Sequence, residues 1–531
     1  MSRVDYITPD RAARAARRPV LALAARGKCT GSKPPVAPHR GYQAAYDRLI
    51  AAFITAVALF AVAVPLPAED TPAGPDSPAA AAVRERLTKL LAQLPKGTAV
   101  GLVVTDCEEG TTWFASQPQL PLKPASVMKL LVTAAALERF GPDFTYETRL
   151  YTRKGELLVV GSGDPGLGDE RIARRHGEPL HGELDEWARR LTERGVSVLK
   201  GIALDDTIFD RQHRHPDWPR DQAQAWYQAP VGGINFNDNC LDAYCTVAGG
   251  RVNLSLQPDL PASFFRNTLK VSAKHAPVAG RPLDQDVFEF RGPVSHSDQF
   301  QPISAARPTV FFGYALQRAL EKRGVAAPGQ VVRREITTTA LADADLLDVR
   351  ATRLPDVLWR ANTFSQNLFA ECLLKSLAAY NADGTRSGAP GGWEAGVRVL
   401  EATLRELGLD LERAIFRDGS GLSHENRVTA QQVVQVLLIM RGHPHGDVFI
   451  QSLAQPGEEG TMRRRYGSLV LRDRLRGKTG TISGVRALAG YVERPDGATL
   501  AFALLVNGGA PPSLPAQIAE VLVEAGVETQ P

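Results

Sequence analysis

The chain is poor in cysteine, with five in 531 residues, and holds only 7% aromatic residues. So few thiols exclude a disulfide-stapled scaffold, and none stands at a metal-ligand spacing. Cys29 lies in a basic leader without the small residues that a lipoprotein signal places ahead of its cysteine. Cys240 and Cys245 are five apart and open to pairing in an oxidising compartment, whereas Cys107 and Cys372 read as buried free thiols in apolar surroundings. An excess of one charge is also missing beyond residue 48. Residues 1–48 hold ten Lys/Arg against three acids, a charge of +7 in a chain of net +4, which leaves −3 for the remainder. The basicity therefore marks a leader, and no nucleic-acid partner is expected. Internal repeats are absent, and 44% hydrophobic with 23% charged residues excludes a disordered or fibrous chain.

Long apolar runs are missing with one exception. Leu49 to Val64 contains sixteen residues of which only Thr55 is polar, after a basic flank and before Pro65-Leu-Pro-Ala68 and Glu69-Asp70. This predicts a secretory signal over residues 1–68, cleaved after Ala68, and an exported protein of the periplasm or cell envelope. An uncleaved anchor is the other reading, since a membrane span needs about 20 apolar residues. The mature protein is expected to have no transmembrane domain.

Residues 69–78 are a Pro/acidic linker. Apolar spacing then predicts a helix over 79–94, strands over 99–104 and 111–116, and a helix from Ser126 to Phe140 stopped by Gly141-Pro142. Helix, strand, strand, helix is not a βαβ order, so an antiparallel sheet is expected. Residues 158 to about 345 change to short strand-like runs with Pro- and Gly-rich turns, as inserted material would, divided near Pro230. Helical spacing returns over 357–361, 368–382, 393–407 and 430–441. The end reads as strands over 476–483, 487–492 and 499–507, the last two joined by Arg494-Pro-Asp-Gly497.

Three short patterns carry chemistry. In Ser126-Val-Met-Lys129 the two functional residues share one face of a helix, and the serine stands at the N-terminus, where negative charge is favoured. That suits a nucleophile beside an amine base, provided a neighbouring cation or burial brings the lysine from about 10.4 towards 7. Ser-x-x-Lys alone is weak, with about one expected by chance at this length. Ser197-Val-Leu-Lys200 is such a decoy, in an alternating run that points its ends to opposite faces. Ser365-Gln-Asn367 and Lys478-Thr-Gly-Thr481 are sharper, since Ser-x-Asn and Lys-Thr-Gly each occur once. Taken singly, Ser365 is equally a helix cap and Lys478 a solvated strand end. Taken in order, the three form the set of the β-lactamases and penicillin-binding proteins, a serine acyl-transfer site.

From Ala79 to Val523 the chain resembles the D-alanyl-D-alanine carboxypeptidase/endopeptidase family of low-molecular-mass class C penicillin-binding proteins. The interval of 239 residues from Ser126 to Ser365 matches that family's large insertion, and 113 from Ser365 to Lys478 matches the shared core. Gly161-Ser-Gly-Asp-Pro165, Asn235-Phe-Asn-Asp-Asn239, Ser365-Gln-Asn-Leu-Phe-Ala-Glu371, Asp418-Gly-Ser-Gly-Leu-Ser423 and Gly460-Thr-Met-Arg463 resemble family segments. The resemblance implies an α+β fold: a transpeptidase-like domain, antiparallel sheet flanked by helices, over 79–157 and 346–531. It also implies smaller β-rich domains inserted over 158–228 with 308–345, and over 229–307. It implies Ser126 as acylated nucleophile, Lys129 as base, and Ser365 as proton relay. Asn367 would order the substrate amide, Lys478 and Thr479 would hold the terminal carboxylate, and the amides of Ser126 and Thr481 would form the oxyanion hole. The expected partners are peptidoglycan stem peptides ending in D-Ala-D-Ala and, as covalent inhibitors, β-lactams, with no metal or cofactor. Gln366 departs from the family's usual Asp, a change expected to be minor.

Other features read as structural. The glycine-rich segment 161–168 lacks a phosphate loop's ending and reads as a turn. Asp205, Asp206 and Asp210 read as solvated loop, His213 and His215 as surface loop, and 418–423 as a wall of the cleft. A β-lactamase and a non-catalytic wall-sensing module stand as alternatives. The first needs a group to activate the deacylating water, and no obvious acid is placed for it.

Overall fold

The computed structural model describes residues 77–464 and 466–526, with the backbone of Asp5–Ile7. Apart from Asp5–Ile7, the signal segment, its cleavage site and most of the linker lie outside the described residues.

One core is built on a five-stranded sheet, antiparallel throughout. Its order is Leu475–Ile482, Val485–Glu493, Thr499–Asn507, Ala99–Asp106, Thr112–Ser116. Strand side chains alternate between faces, and here both faces are buried. On one, Val100, Leu102, Val104, Leu500, Phe502, Leu504 and Val506 pack under the helices Pro78–Ala92 and Leu514–Glu524. On the other stand smaller residues, Ala487, Ala489, Ala501 and Ala503, which let Ala430–Gly442 and Met128–Phe140 lie close. The result is helices on either side of a sheet. Met128–Phe140 is buried around its whole circumference from Met128 to Leu137, as a central helix between a sheet and other helices must be. It ends at Gly141 with φ 70°, which frees the chain to turn.

A second core lies against a sheet shared between the insertion and the strands that flank it. A mixed sheet runs Asp5–Ile7, Gln330–Arg333, Gly201–Asp205, Glu156–Val160, Thr145–Arg153, Asp345–Arg353, with parallel pairings on both sides of Gly201–Asp205. Gly182–Glu193 and Pro308–Lys322 cover it through Trp187, Phe311 and Phe312. Beyond Pro230 come a hairpin, Cys240–Ala248 with Arg251–Gln257, and a small sheet around Phe265–Val271 and Phe288–Val294.

One open alternative is closed and two expectations are corrected. Cys240 and Cys245 are free, because one extended strand separates them by about 16 Å, against a disulfide Cα separation of about 4.4–6.8 Å. His215 is buried, packed edge-on to Trp393 at 5.3 Å. Asp205 and Asp206 are buried too, with Asp205 accepting from Thr207 and Ile336 and Asp206 paired with Arg333. Among the described residues, no helix is long and apolar enough to cross a membrane.

Candidate active site

The first pattern straddles two elements. Ser126 lies in a 3-10 turn, Ala125–Val127, that feeds into Met128–Phe140. Ala125 takes φ 46°, a left-handed conformation of a kind that concentrates at functional sites. Lys129 is wholly buried, one turn on, with Nζ 3.1 Å from Ser126 Oγ. The same ammonium nitrogen donates to Asn367 Oδ1 at 2.7 Å and to the Ser420 carbonyl at 2.8 Å. Burial pulls its pKa down to about 7, against the pull of Glu371 and Asp418.

Ser365 follows the helix Leu354–Thr363 with φ 60°. It is no helix cap: Gln366 takes that place for Asn367–Ala379, accepting from the Asn367 amide at 3.0 Å. Freed from capping, Ser365 Oγ accepts from Lys478 Nζ at 2.8 Å. Lys478 is fully buried, not a solvated strand end, on the edge strand Leu475–Ile482. Burial, reinforced by Lys129, holds its pKa well below the ordinary value. Gly480 admits this strand to the nucleophile turn, because a Cβ there would stand 2.9 Å from the Pro124 carbonyl oxygen. Thr479 and Thr481 line the groove, which also exposes Ser126, Trp226, Tyr227 and Leu422 and has a cavity volume of about 550 Å³. All seven residues singled out in the sequence therefore converge on one cleft, and the decoy Ser197 is exposed far from it, on a segment bridged to Ala326.

The insertion reaches this cleft at points the sequence did not disclose. Asn367 Nδ2 donates to the Tyr227 carbonyl at 2.8 Å. Gln366 Nε2 donates to Asp238 Oδ2 at 2.7 Å, and Arg360, 3% exposed, bridges Asp238 to Asp169. Trp218 Nε1 donates to Asp418 at 2.9 Å. A backbone carbonyl bears no signature of residue type, so Tyr227 and Ser420 gave no signal. Glu371 did give one: it lies four residues after Asn367, on the same face of a helix. The described residues contain no cluster of three side chains suited to a metal.

A helix-borne Ser/Lys pair faced by an Ser-x-Asn segment and a Lys-Thr-Gly edge strand, on an antiparallel sheet between helices, defines a serine acyl-transfer enzyme of the penicillin-binding type. The model of the D-Ala-D-Ala carboxypeptidase 3 (S13) family matches residues 83–525. The chain belongs to that family of serine-type D-Ala-D-Ala carboxypeptidases. It is 31% identical over 457 residues to a D-alanyl-D-alanine carboxypeptidase of Actinomadura sp. (strain R39), covering 79% of each chain. It is 23% identical over 443 residues to the D-alanyl-D-alanine carboxypeptidase DacB of Haemophilus influenzae, covering 80% of this chain and 88% of that one. In fold it is similar to the crystal structure of penicillin binding protein 4 from Haemophilus influenzae, with TM-score 0.66, 22% identity, and coverage of 82% and 98%.

Proposed function

We propose that the enzyme removes the terminal D-alanine from peptidoglycan stem peptides, or cuts a cross-link of the same chemistry, through an acyl-serine on Ser126. The observation that carries this reading is Lys129, an amine with pKa about 7 placed 3.1 Å from Ser126 Oγ. Neutral at its nitrogen, Lys129 takes the hydroxyl proton as Oγ attacks the penultimate carbonyl. The oxyanion forms against the amides of Ser126 and Thr481, a contribution of about 3 kcal/mol per donor in comparable sites. Collapse passes a proton through Ser365, beside Lys478, to the departing D-alanine nitrogen. Water then releases the acyl group and restores the serine.

Lys478 and Thr479 hold the free carboxylate of the substrate, and Asn367 orders its amide. The same groove accepts a β-lactam, whose ring carbonyl would acylate Ser126 and leave a slowly released adduct. No carboxylate lines the groove among the described residues, which favours a slow-deacylating peptidase over a β-lactamase. The division into a catalytic part (79–157 and 346–531) and two inserted units, and export to the cell envelope, belong to the same proposal.

The test is a peptide ending in D-Ala-D-Ala beside a chromogenic cephalosporin. The expected result is steady D-alanine release with a single, stoichiometric burst from the cephalosporin. Sustained cephalosporin turnover without D-alanine release would make the protein a β-lactamase instead.

A further inference from the structure

Glu371 has no part in the roles assigned above, yet it is wholly buried. Its Oε2 accepts from the Gly419 amide at 2.9 Å and from Trp393 Nε1 at 2.8 Å, and its Oε1 accepts from the Ser420 amide at 2.8 Å. Asp418, equally buried, takes the next amide in line, Gly421, on Oδ1 at 2.8 Å. Three successive amides are thus turned onto two carboxylates. The peptide joining Ser420 to Gly421 is gripped at both ends, its N–H by Asp418 and its carbonyl by Lys129 Nζ. The run tolerates no bulk, since a Cβ on Gly421 would stand 1.8 Å from the Ala125 carbonyl oxygen.

A neutral primary amine has two hydrogens and one lone pair. At Lys129 the hydrogens have acceptors in Asn367 Oδ1 and the Ser420 carbonyl, which leaves the lone pair for Ser126 Oγ. We propose that Glu371 is a positioning residue for acylation: by fixing the 419–421 amides it holds the Ser420 carbonyl on one Lys129 N–H and so aims the lone pair at Ser126. The inference rests on Lys129 being the base. Burial, and then Asp418, push the Glu371 carboxyl up to about 7, so above that pH it is ionised and accepts from all three donors, whereas a glutamine would oppose an N–H with its own NH2.

Charged groups meet this centre from every side. Lys478 faces Lys129 from the edge strand, and Asp418 faces both Lys129 and Glu371 from the loop. Lys375, paired with Asp210 of the insertion, lies one turn along the Glu371 helix, and His215 faces Asp418. Glu371 favours the charged form of Lys129. Removing its charge therefore lets Lys129 lose its proton at lower pH.

The experiment is the second-order rate of acylation by a penicillin from pH 5 to 9, on the full chain and on Glu371→Gln, Trp393→Phe and Ser126→Ala. The expected result for Glu371→Gln is a plateau lower by about tenfold to a hundredfold, the scale of a misplaced catalytic group, with the acid limb displaced to lower pH. A wild-type profile, or a lower plateau whose midpoint has not moved, would overturn the inference. If Glu371→Gln does not fold, Trp393→Phe decides, since it removes one donor and leaves the carboxylate. A smaller displacement in the same direction supports the inference, and none overturns it. Acylation of Ser126→Ala, or a wild-type profile without an acid limb, would instead overturn the assignment of Ser126 and Lys129, and this inference with it.

Discussion

Lys129, the base in the proposed mechanism, shows how its surroundings would prepare one side chain for that task. In water its amine would be charged at neutral pH, but burial disfavours the cation and draws the pKa to about 7. A base must be unprotonated, so the acylation rate follows the neutral fraction. It should rise about tenfold per pH unit below 7 and level off above it, as measured with a penicillin under single-turnover conditions. A rate flat from pH 5 to 7 would contradict this. The spacing of Ser126 and Lys129 suggested a shared helix face, but with Ser197-Val-Leu-Lys200 at the same spacing the pair was singled out only by the two patterns that follow it. Ser365 and Lys478 were legible only as members of an ordered set. The left-handed turn that frees Ser365 from capping, with Gln366 in its place, was not, since φ is set by the surroundings.

Among the elements, the periodic ones were the readable ones. Strand Thr499–Asn507 and helix Trp393–Glu406 lie where the apolar spacing puts them, within a residue. The errors fell on polar residues at a strand end and in irregular chain. His215, Asp205 and Asp206 look solvated in sequence, yet each meets a partner far along the chain: Trp393, Ile336 and Arg333 respectively. The same long-range pairing joins Leu354–Thr363 to the insertion, where Arg360 bridges Asp169 and Asp238. Removing one member of a buried ion pair costs about 3–5 kcal/mol, because the remaining charges lose their compensation. Arg360→Ala should lower the thermal midpoint by several degrees and slow acylation, since Asp238 also holds Gln366. An unchanged midpoint would show that the bridge carries no stability. Gly480→Val should fold yet acylate slowly, because its side chain would push the edge strand off the Pro124 carbonyl and Ala125. Normal acylation would contradict that packing.

At the scale of the whole molecule, the insertion packs against the five-stranded sheet's helices through apolar as well as polar contacts. The mixed sheet has an apolar cluster of its own, while the cluster under the five-stranded sheet takes in Ile172, Ile208, Phe209, Trp218 and Val231 from the insertion. Polar contacts from the insertion reach Asn367, Gln366 and Asp418 beside the cleft, and Arg360, Lys375, Tyr380 and Arg386 away from it. The long interval between the first two motifs told of the insertion, but only the fold shows that the insertion braces the motifs it separates. The proposed function turns on Ser126 as the single nucleophile. The most direct measurement is the intact mass of the protein before and after a penicillin, on wild type, Ser126→Ala and Ser197→Ala. One covalent adduct on wild type and Ser197→Ala, and none on Ser126→Ala, is the expected result. An adduct that survives Ser126→Ala would place the chemistry on another residue and contradict the account.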